Sequence, residues 1–372
     1  MNSIKTYSFP RAGFLGNPSD GYFGKTISFA FSNFGVEMTL EESDRIRFIP
    51  GVVDDATFDS PENLVRDVRL YGYYGGIRLL KAMCKRFFEY CMDNGIVLAP
   101  KNFTASYKIN IPRLVGLSGS SAICSAMLKA LLKFYEVEIP IEVRPTLCLE
   151  AERELGINCG FQDRVIQIYN GLVFMDFDRD YLEAHNYGKY ERLDPTVFSN
   201  STLKPSSPRT LKPLNLYLAY DANRAEESGK AHANVKARFE QKNADVIAAM
   251  SEFADIAQQG RDLLVAQAQL QTSNSKLQTS LAALVNANFD LRDKIFNVAS
   301  ENRRMVMTAR SAGASAKFAG SGGAIVGTYE DEAQFERLQA KLATIGCTVI
   351  KPVIALSDED FTESTATNWR TA

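Results

Sequence analysis

Histidine is nearly missing from this 372-residue chain, which has only His185 and His232. A histidine-based metal centre or a Ser/His/Asp triad is therefore poorly supported, since both need imidazoles brought together. The six cysteines (Cys84, Cys91, Cys124, Cys148, Cys159 and Cys347) contain no CxxC pair, so they read as reduced, mostly buried thiols. No run of eighteen apolar residues occurs, which excludes a helical membrane span. A net charge of −2 gives no electrostatic footprint for nucleic acid. The segment Met1–Pro10 has one lysine and no apolar stretch of signal-peptide length, so a cytoplasmic protein is expected.

What remains is an ordinary globular composition, 45% hydrophobic and 23% charged, in a chain longer than one core usually serves. Alternating apolar positions over 106–111 predict a strand, and helical spacing predicts helices over 71–88, 122–134 and 141–155. Four prolines between Pro195 and Pro213, among clustered Ser and Thr, mark a boundary. The expected organisation is a domain over 1–198, a linker over 199–213, a second domain over 214–356 and a flexible tail over 357–372. The second domain reads as a strand near 214–220, a helix-rich stretch over 226–312, a glycine turn with a strand over 319–328, then a last helix and strand. Leu263, Leu270, Leu277 and Leu284 recur every seven residues. Intervening Ser, Thr and Asn favour an amphipathic face against the core over a coiled-coil seam.

Four elements can carry chemistry. The segment from Pro112 to Ala122 (Pro-Arg-Leu-Val-Gly-Leu-Ser-Gly-Ser-Ser-Ala) lies between a predicted strand and helix, so backbone N–H groups can converge on a phosphate at a helix N-terminus. No Gly-Lys-Ser/Thr follows, so it is not a Walker loop, and a serine-rich cap without a ligand is the alternative. Phe9–Lys25 sets Arg11, Asn17, Asp20 and Lys25 among glycines, as a polyhydroxylated substrate and a transferring phosphoryl group would require. By itself it is also an ordinary Asn-Pro-Ser-Asp turn. Glu150–Arg164 leads a helix bearing Glu152 into a turn that presents Asp163. Two carboxylates can divide the labour, one holding Mg2+ and one accepting a hydroxyl proton, or they belong to a solvated helix face. Lys317–Gly327 places Gly320, Gly322 and Gly323 before an apolar strand, reading either as close approach to a ligand or as a bulged hairpin.

In this order the four elements resemble the signature motifs of the GHMP kinases. The resemblance spans Phe9 to Gly327, with one extra residue in the phosphate loop. It is more specific to the plant-type glucuronokinase branch, through Leu15–Asp20, Tyr22–Ser28, Gly160–Val165, Gly171–Asp176, Ser228–His232, Asn288–Arg292 and Ala316–Gly323. It implies an α+β fold of two domains, an N-terminal α/β domain like ribosomal protein S5 domain 2 and a ferredoxin-like C-terminal domain. It further implies ATP and Mg2+ as cofactors and a sugar or sugar acid as substrate, in a monomer or homodimer.

By the same resemblance Asp163 is the catalytic base and Arg11 its helper. Ser121 and Glu152 are the metal ligands, and Asp20 binds a sugar hydroxyl. Pro112, Gly116, Leu117, Ser118, Gly119, Ser120, Ser121 and Ala122 wrap ATP, together with Gly320, Gly322 and Gly323. Galactokinases carry Glu-His where this chain has Asn17-Pro18, so a charge that would repel a carboxylate on C6 is gone. Asn17 is thus expected at the substrate, and Arg164, Lys25 or Lys230 is expected to pair with a uronate carboxylate. The implied reaction is phosphorylation of D-glucuronate at the anomeric hydroxyl. Another GHMP sugar kinase (galactose, arabinose, fucose or galacturonate) or a non-catalytic sugar sensor is the alternative.

Overall fold

The computed structural model describes residues 3–51, 54, 60–71, 75–157, 160–198, 214–221, 228–270 and 274–361, without the side chains of 67–71, 228–233, 268–270 and 274–275. The expected linker, 199–213, lies outside the described residues, as does the chain from 362 onward.

The chain opens with strands β1 (Ser3–Ser8), β2 (Arg11–Leu15), β3 (Lys25–Ala30), β4 (Val36–Ser43) and β5 (Arg47–Phe48). Next come α1 (Pro61–Tyr71), α2 (Gly76–Asp93), β6 (Asn102–Ile109), α3 (Gly119–Tyr135), α4 (Arg144–Glu154), α5 (Gln162–Tyr169), β7 (Leu172–Asp176), α6 (Arg179–His185) and β8 (Lys189–Leu193). The second half runs β9 (Asn215–Tyr220), α7 (Ser228–Glu240), α8 (Ala244–Leu270), α9 (Asn274–Ile295), α10 (Ser300–Ser311), β10 (Lys317–Phe318), β11 (Ala324–Tyr329), α11 (Glu332–Ala343) and β12 (Thr348–Ile350). Three four-stranded sheets result, ordered β1-β4-β6-β5, β2-β3-β7-β8 and β10-β11-β9-β12. The expected α+β fold is present.

Helix α3 organises the first half. It is apolar almost all round, which only a helix enclosed by other elements can be. Ala122, Ala126 and Ala130 recur every four residues at zero exposure, so neighbours can approach closely along that stripe. It packs on β1 and β4 and against α2, α4 and α5. Strand β6 keeps the predicted alternation, with Phe103, Ala105 and Tyr107 buried, although it spans four residues more on its N-terminal side than the apolar pattern marked and stops before Asn110. Helix α8 covers β3 of the second sheet and pairs with α9, which reaches β10 and β11. The spaced leucines therefore fall on two helices rather than one long seam. Leu277 is buried, and Leu263 and Leu284 pack partly buried against the core.

The tail corrects one expectation. Residues 357–361 are packed: Ser357 caps a turn over Asp358–Asp360, Asp358 pairs with Lys129 at 2.6 Å, and the Phe361 ring stacks on Tyr7 with centroids 4.1 Å apart. Acidic composition suggested fraying, but an aromatic and a cation waiting on β1 and α3 hold these residues down.

Candidate active site

A cleft of about 1080 Å³ opens where the phosphate-type loop, the Asn17–Phe23 turn, the start of α5, helix α7 and the Gly320–Ser321 turn meet. Of the expected site residues, Arg11, Asn17, Asp20, Pro112, Gly116, Leu117, Ser118, Gly119, Ser120, Asp163 and Gly320 line it. Ser121, Ala122, Glu152, Arg164, Lys25, Gly322 and Gly323 do not.

The loop is held in a conformation that aims it at this cleft. Gly116 has φ of 72° and Ser118 has φ of 63°, a left-handed value that a non-glycine residue seldom adopts without compensation. Compensation comes from α5: the Ser118 carbonyl accepts from Gln167 Nε2 at 2.9 Å, and the Ser118 hydroxyl donates to Asp163 Oδ2 at 2.6 Å. Gly119 then opens α3, whose first N–H groups have no intrahelical partner and receive no side-chain cap from Ser118. Asp163 and the loop are thus tied together through one serine.

Asp163 is nearly buried, at 8% exposure. Its Oδ1 accepts from Arg11 Nε at 2.7 Å, and Arg11 Nη1 reaches the carbonyls of Gly116 at 2.6 Å and Ala319 at 3.1 Å. Burial works to raise the Asp163 carboxyl, but the guanidinium of Arg11, then that of Arg164, and the bonds from Arg11 and Ser118 outweigh it and hold it below its ordinary value. Asp20 behaves oppositely. Burial, reinforced by the nearby Asp163 charge, pushes it up to about 6 although Gln162 donates to both its oxygens at 3.1 Å. Gly160 is glycine because a Cβ there would collide with the Asp20 carboxylate.

The two carboxylates are therefore separated in role: one stays ionised, the other takes a proton as the solution turns mildly acidic. If Asp20 accepts from a sugar hydroxyl, as the resemblance implies, kcat/KM of the free protein should fall below pH about 6, where Asp20 gains a proton. A pH–rate profile of wild type against Asp20→Asn checks it, since the limb should disappear in the variant along with most of the activity.

Glu152 is fully buried beneath the loop. Its Oε1 accepts from Ser120 at 2.8 Å and Ser121 at 3.0 Å, and its Oε2 is clasped by Arg164, whose Nη1 also donates to the Gly160 carbonyl. Arg164 is spent here and does not reach the cleft, so the expected carboxylate contact is corrected. Among the described residues no group of three or more His, Cys, Asp or Glu side chains could hold a metal. Of the oxygens gathered here the Ser120 hydroxyl lines the cleft, whereas the expected metal ligands Ser121 and Glu152 are buried beneath it, so a magnesium ion carried in on nucleotide phosphates would meet Ser120 first.

Lys25 is corrected as well. It sits on β3 directly opposite Asp176 on β7, 3.7 Å from its carboxylate, and donates to Gln258 at 2.9 Å, outside the cleft. The side chain of Lys230 lies outside the described residues. The glycine turn does involve close approach, but to the loop rather than only to a ligand. A Cβ at Gly116 would come within 2.7 Å of the Gly322 carbonyl, and one at Gly323 within 2.9 Å of Val115 Cα. Gly322 and Gly323 thus brace the loop from behind.

Sequence reasoning missed Gln162, Lys317, Arg292 and Asn288. Arg292 donates to the carbonyls of Gly320 at 2.8 Å and Ser321 at 2.7 Å, and Asn288 clamps Gly16 N–H at 2.7 Å and the Asn17 carbonyl at 3.0 Å. It also missed the cationic rim of Arg113, Arg153, Arg179, Lys236 and Lys242 around the cleft. Arg179 lies over the Phe23 ring at 4.1 Å and Arg153 over Phe161 at 5.4 Å.

A helix N-terminus opened by a glycine loop at the cleft, and a carboxylate held ionised on the same lining, are what phosphoryl transfer to an alcohol needs, and the class that follows is a small-molecule kinase. The family described as "GHMP kinases N terminal domain" matches residues 78–171. Over 326 residues the chain is 47% identical to probable glucuronokinase 2 of Arabidopsis thaliana, covering 86% of this chain and 82% of that one. Over 368 residues it is 40% identical to glucuronokinase 1 of the same plant, covering 96% and 95%. Among solved structures, Lactococcus lactis galactokinase complexed with galactose superposes with a TM-score of 0.71 at 15% identity, over 96% of this chain and 94% of that one, which speaks to the fold. The chain belongs to the GHMP kinases, in their glucuronokinase family.

Proposed function

We propose that the protein transfers the γ-phosphoryl group of ATP to the anomeric hydroxyl of D-glucuronate, giving D-glucuronate 1-phosphate and ADP. The observation that carries this reading is the convergence of Asp163, Arg11 and the Ser118 hydroxyl on the mouth of the phosphate loop. The hydroxyl oxygen attacks the γ-phosphorus, the bond to the β-phosphate oxygen breaks, and the hydroxyl proton passes to Asp163. Because the carboxyl of Asp163 is held low it is a weak base. That suits a loose transition state in which little base strength is needed and positioning and electrostatics do most of the catalysis.

The loop from Gly116 to Ser120 would wrap the phosphates, with Arg113, Lys236 and the α3 N-terminus compensating their charge. Ser120, with Ser121 and Glu152 beneath it, would hold the nucleotide's magnesium, which when bound neutralises charge on the β- and γ-phosphates. Asp20, kept in place by Gln162, would accept from a ring hydroxyl. Asn17 leaves the cleft wall without the carboxylate that would repel a sugar acid.

No described helix is long and apolar enough to cross a membrane. The described cysteines are buried and form no disulfide, in keeping with a cytoplasmic enzyme.

Coupled ADP release with MgATP and a panel of glucuronate, galacturonate, galactose, arabinose and fucose tests the reading. Turnover should be dominated by glucuronate. Preference for a neutral sugar would retain the kinase and discard the sugar-acid substrate.

A further inference from the structure

Two arginines of the rim share a wall of the cleft with Asp20. Arg153, in the last turn of α4, lies over the Phe161 ring, and Arg179, which opens α6, lies over the Phe23 ring; both arginines and both rings line the cleft. The rings belong to one continuous patch. Phe161 stacks on Phe177 with centroids 5.3 Å apart, and the Phe177 N–H donates at 3.0 Å to the carbonyl of Gly24, the residue after Phe23. The patch borders Asp20 directly, because Gly160 lies so close to that carboxylate that a Cβ would strike it, and Gln162, on the other side of Phe161 in the chain, donates to both its oxygens.

Neither cation is spent inside the protein. Arg11, Arg164 and Lys25 each stand against a carboxylate, but among the described residues none lies within ion-pair distance of Arg153 or Arg179. The acidic neighbour of Arg179 in sequence, Asp178, is turned to its own helix, where it accepts from the Tyr181 N–H at 3.0 Å. A guanidinium stays charged at neutral pH, and an aromatic ring beneath it restrains it without taking up its N–H donors. A ring-backed arginine on open surface would be an ordinary packing device. Two of them beside the proposed acceptor of a sugar hydroxyl, with their donors unclaimed, form a place for a carboxylate, the anion whose paired oxygens match a guanidinium fork.

We infer that Arg179 on Phe23 and Arg153 on Phe161 form the subsite for the substrate's acid group. A sugar whose ring hydroxyl is held by Asp20 presents its carboxylate to the two guanidinium groups, and the charge-assisted hydrogen bonds formed there select the acid over a neutral sugar. These are the residues that take the contact expected of Arg164, Lys25 or Lys230. The inference rests on the sugar-acid reading above and goes further by naming what binds the acid.

The test measures KM for D-glucuronate and for MgATP by coupled ADP release in wild type, Arg153→Gln, Arg179→Gln and the double variant. KM for glucuronate should rise about tenfold in each single variant and further in the double one, while KM for MgATP stays within about twofold. Both side chains are exposed, so the variants should fold, which their melting temperatures check. D-Glucuronamide, neutral and of nearly the same shape, should compete with glucuronate with an inhibition constant that the substitutions leave almost unchanged. An unmoved KM for glucuronate in the double variant overturns the subsite. So does an equal rise in KM for MgATP, which would put the arginines on the nucleotide, and so does an amide that weakens as much as the acid. A wild type active on neutral sugars and silent on glucuronate overturns the proposed function instead, and the wild-type assay tells the two failures apart.

Discussion

Replacing Asp163 by Asn is expected to lower kcat by about 10³-fold or more, while the affinity for ATP changes by no more than a few-fold. Asparagine fills the same volume, and its Oδ1 can still accept from Arg11 Nε, so the loop and the guanidinium keep their positions. What is lost is the site for the hydroxyl proton and the negative charge that balances Arg11. The amide nitrogen now faces Ser118, which must turn from donor to acceptor and so loosens the link between α5 and the left-handed residue of the loop. Single-turnover phosphoryl transfer and nucleotide titration on the same preparation separate the two quantities. Turnover near that of wild type would show that another group takes the proton and would remove Asp163 from the reaction.

That a single serine ties the loop to Asp163 was not legible in the sequence, although both ends were. The Gly/Ser run and the Gly-Phe-Gln-Asp turn are local patterns, and backbone demands at a phosphate-binding helix start are written over a few adjacent residues. Charge partners are not local. Arg164, Lys25 and Lys317 are three basic residues near glycines, and nothing in their neighbours separates them. Lys25 is neutralised by the register of β3 on β7, which sets Asp176 opposite it, and a one-residue slip would have pointed it elsewhere. Arg164 directly follows Asp163 on α5, about 100° round the helix, and points to Glu152 on α4 instead. Lys317 had no assigned role before the glycine turn, because burial of a lysine depends on carbonyls supplied from Gly13 and Phe318. The glycines of 320–323 were legible as a place of close approach, but the partner, the loop at Val115 and Gly116, lies two hundred residues away in sequence.

The helix boundaries show the same division. Helical spacing found α3 and α4 within three residues, since their apolar pattern is continuous. Helix α2 runs over Gly76–Asp93 where a helix over 71–88 was expected, and α1 (Pro61–Tyr71), whose charged residues interrupt any apolar run, was not expected at all.

The second large effect concerns Arg164, and it is an effect on stability. Arg164 is 1% exposed and Glu152 is fully buried; the pair closes with two guanidinium contacts on one carboxylate oxygen, and the third arm ties the Gly160 carbonyl that positions the Asp20 turn. Removing one partner of a buried ion pair leaves the other desolvated and unmatched, a change that costs about 3–5 kcal/mol. Arg164→Met, similar in length and apolar, is therefore expected to lose a third or more of the stability of a domain whose whole margin is about 5–15 kcal/mol. The urea midpoint should drop accordingly. Adding Glu152→Gln to Arg164→Met should recover a large part of that loss, because the remaining side chain is neutral and still accepts from Ser120 and Ser121. If Arg164 instead served the substrate, as its place next to Asp163 in the sequence invites, Arg164→Met would raise KM for the sugar acid with the urea midpoint unmoved, and the second substitution would rescue nothing. Equilibrium unfolding of the four members of that cycle, read beside their KM values, decides between a residue that holds the floor of the site and one that faces into it.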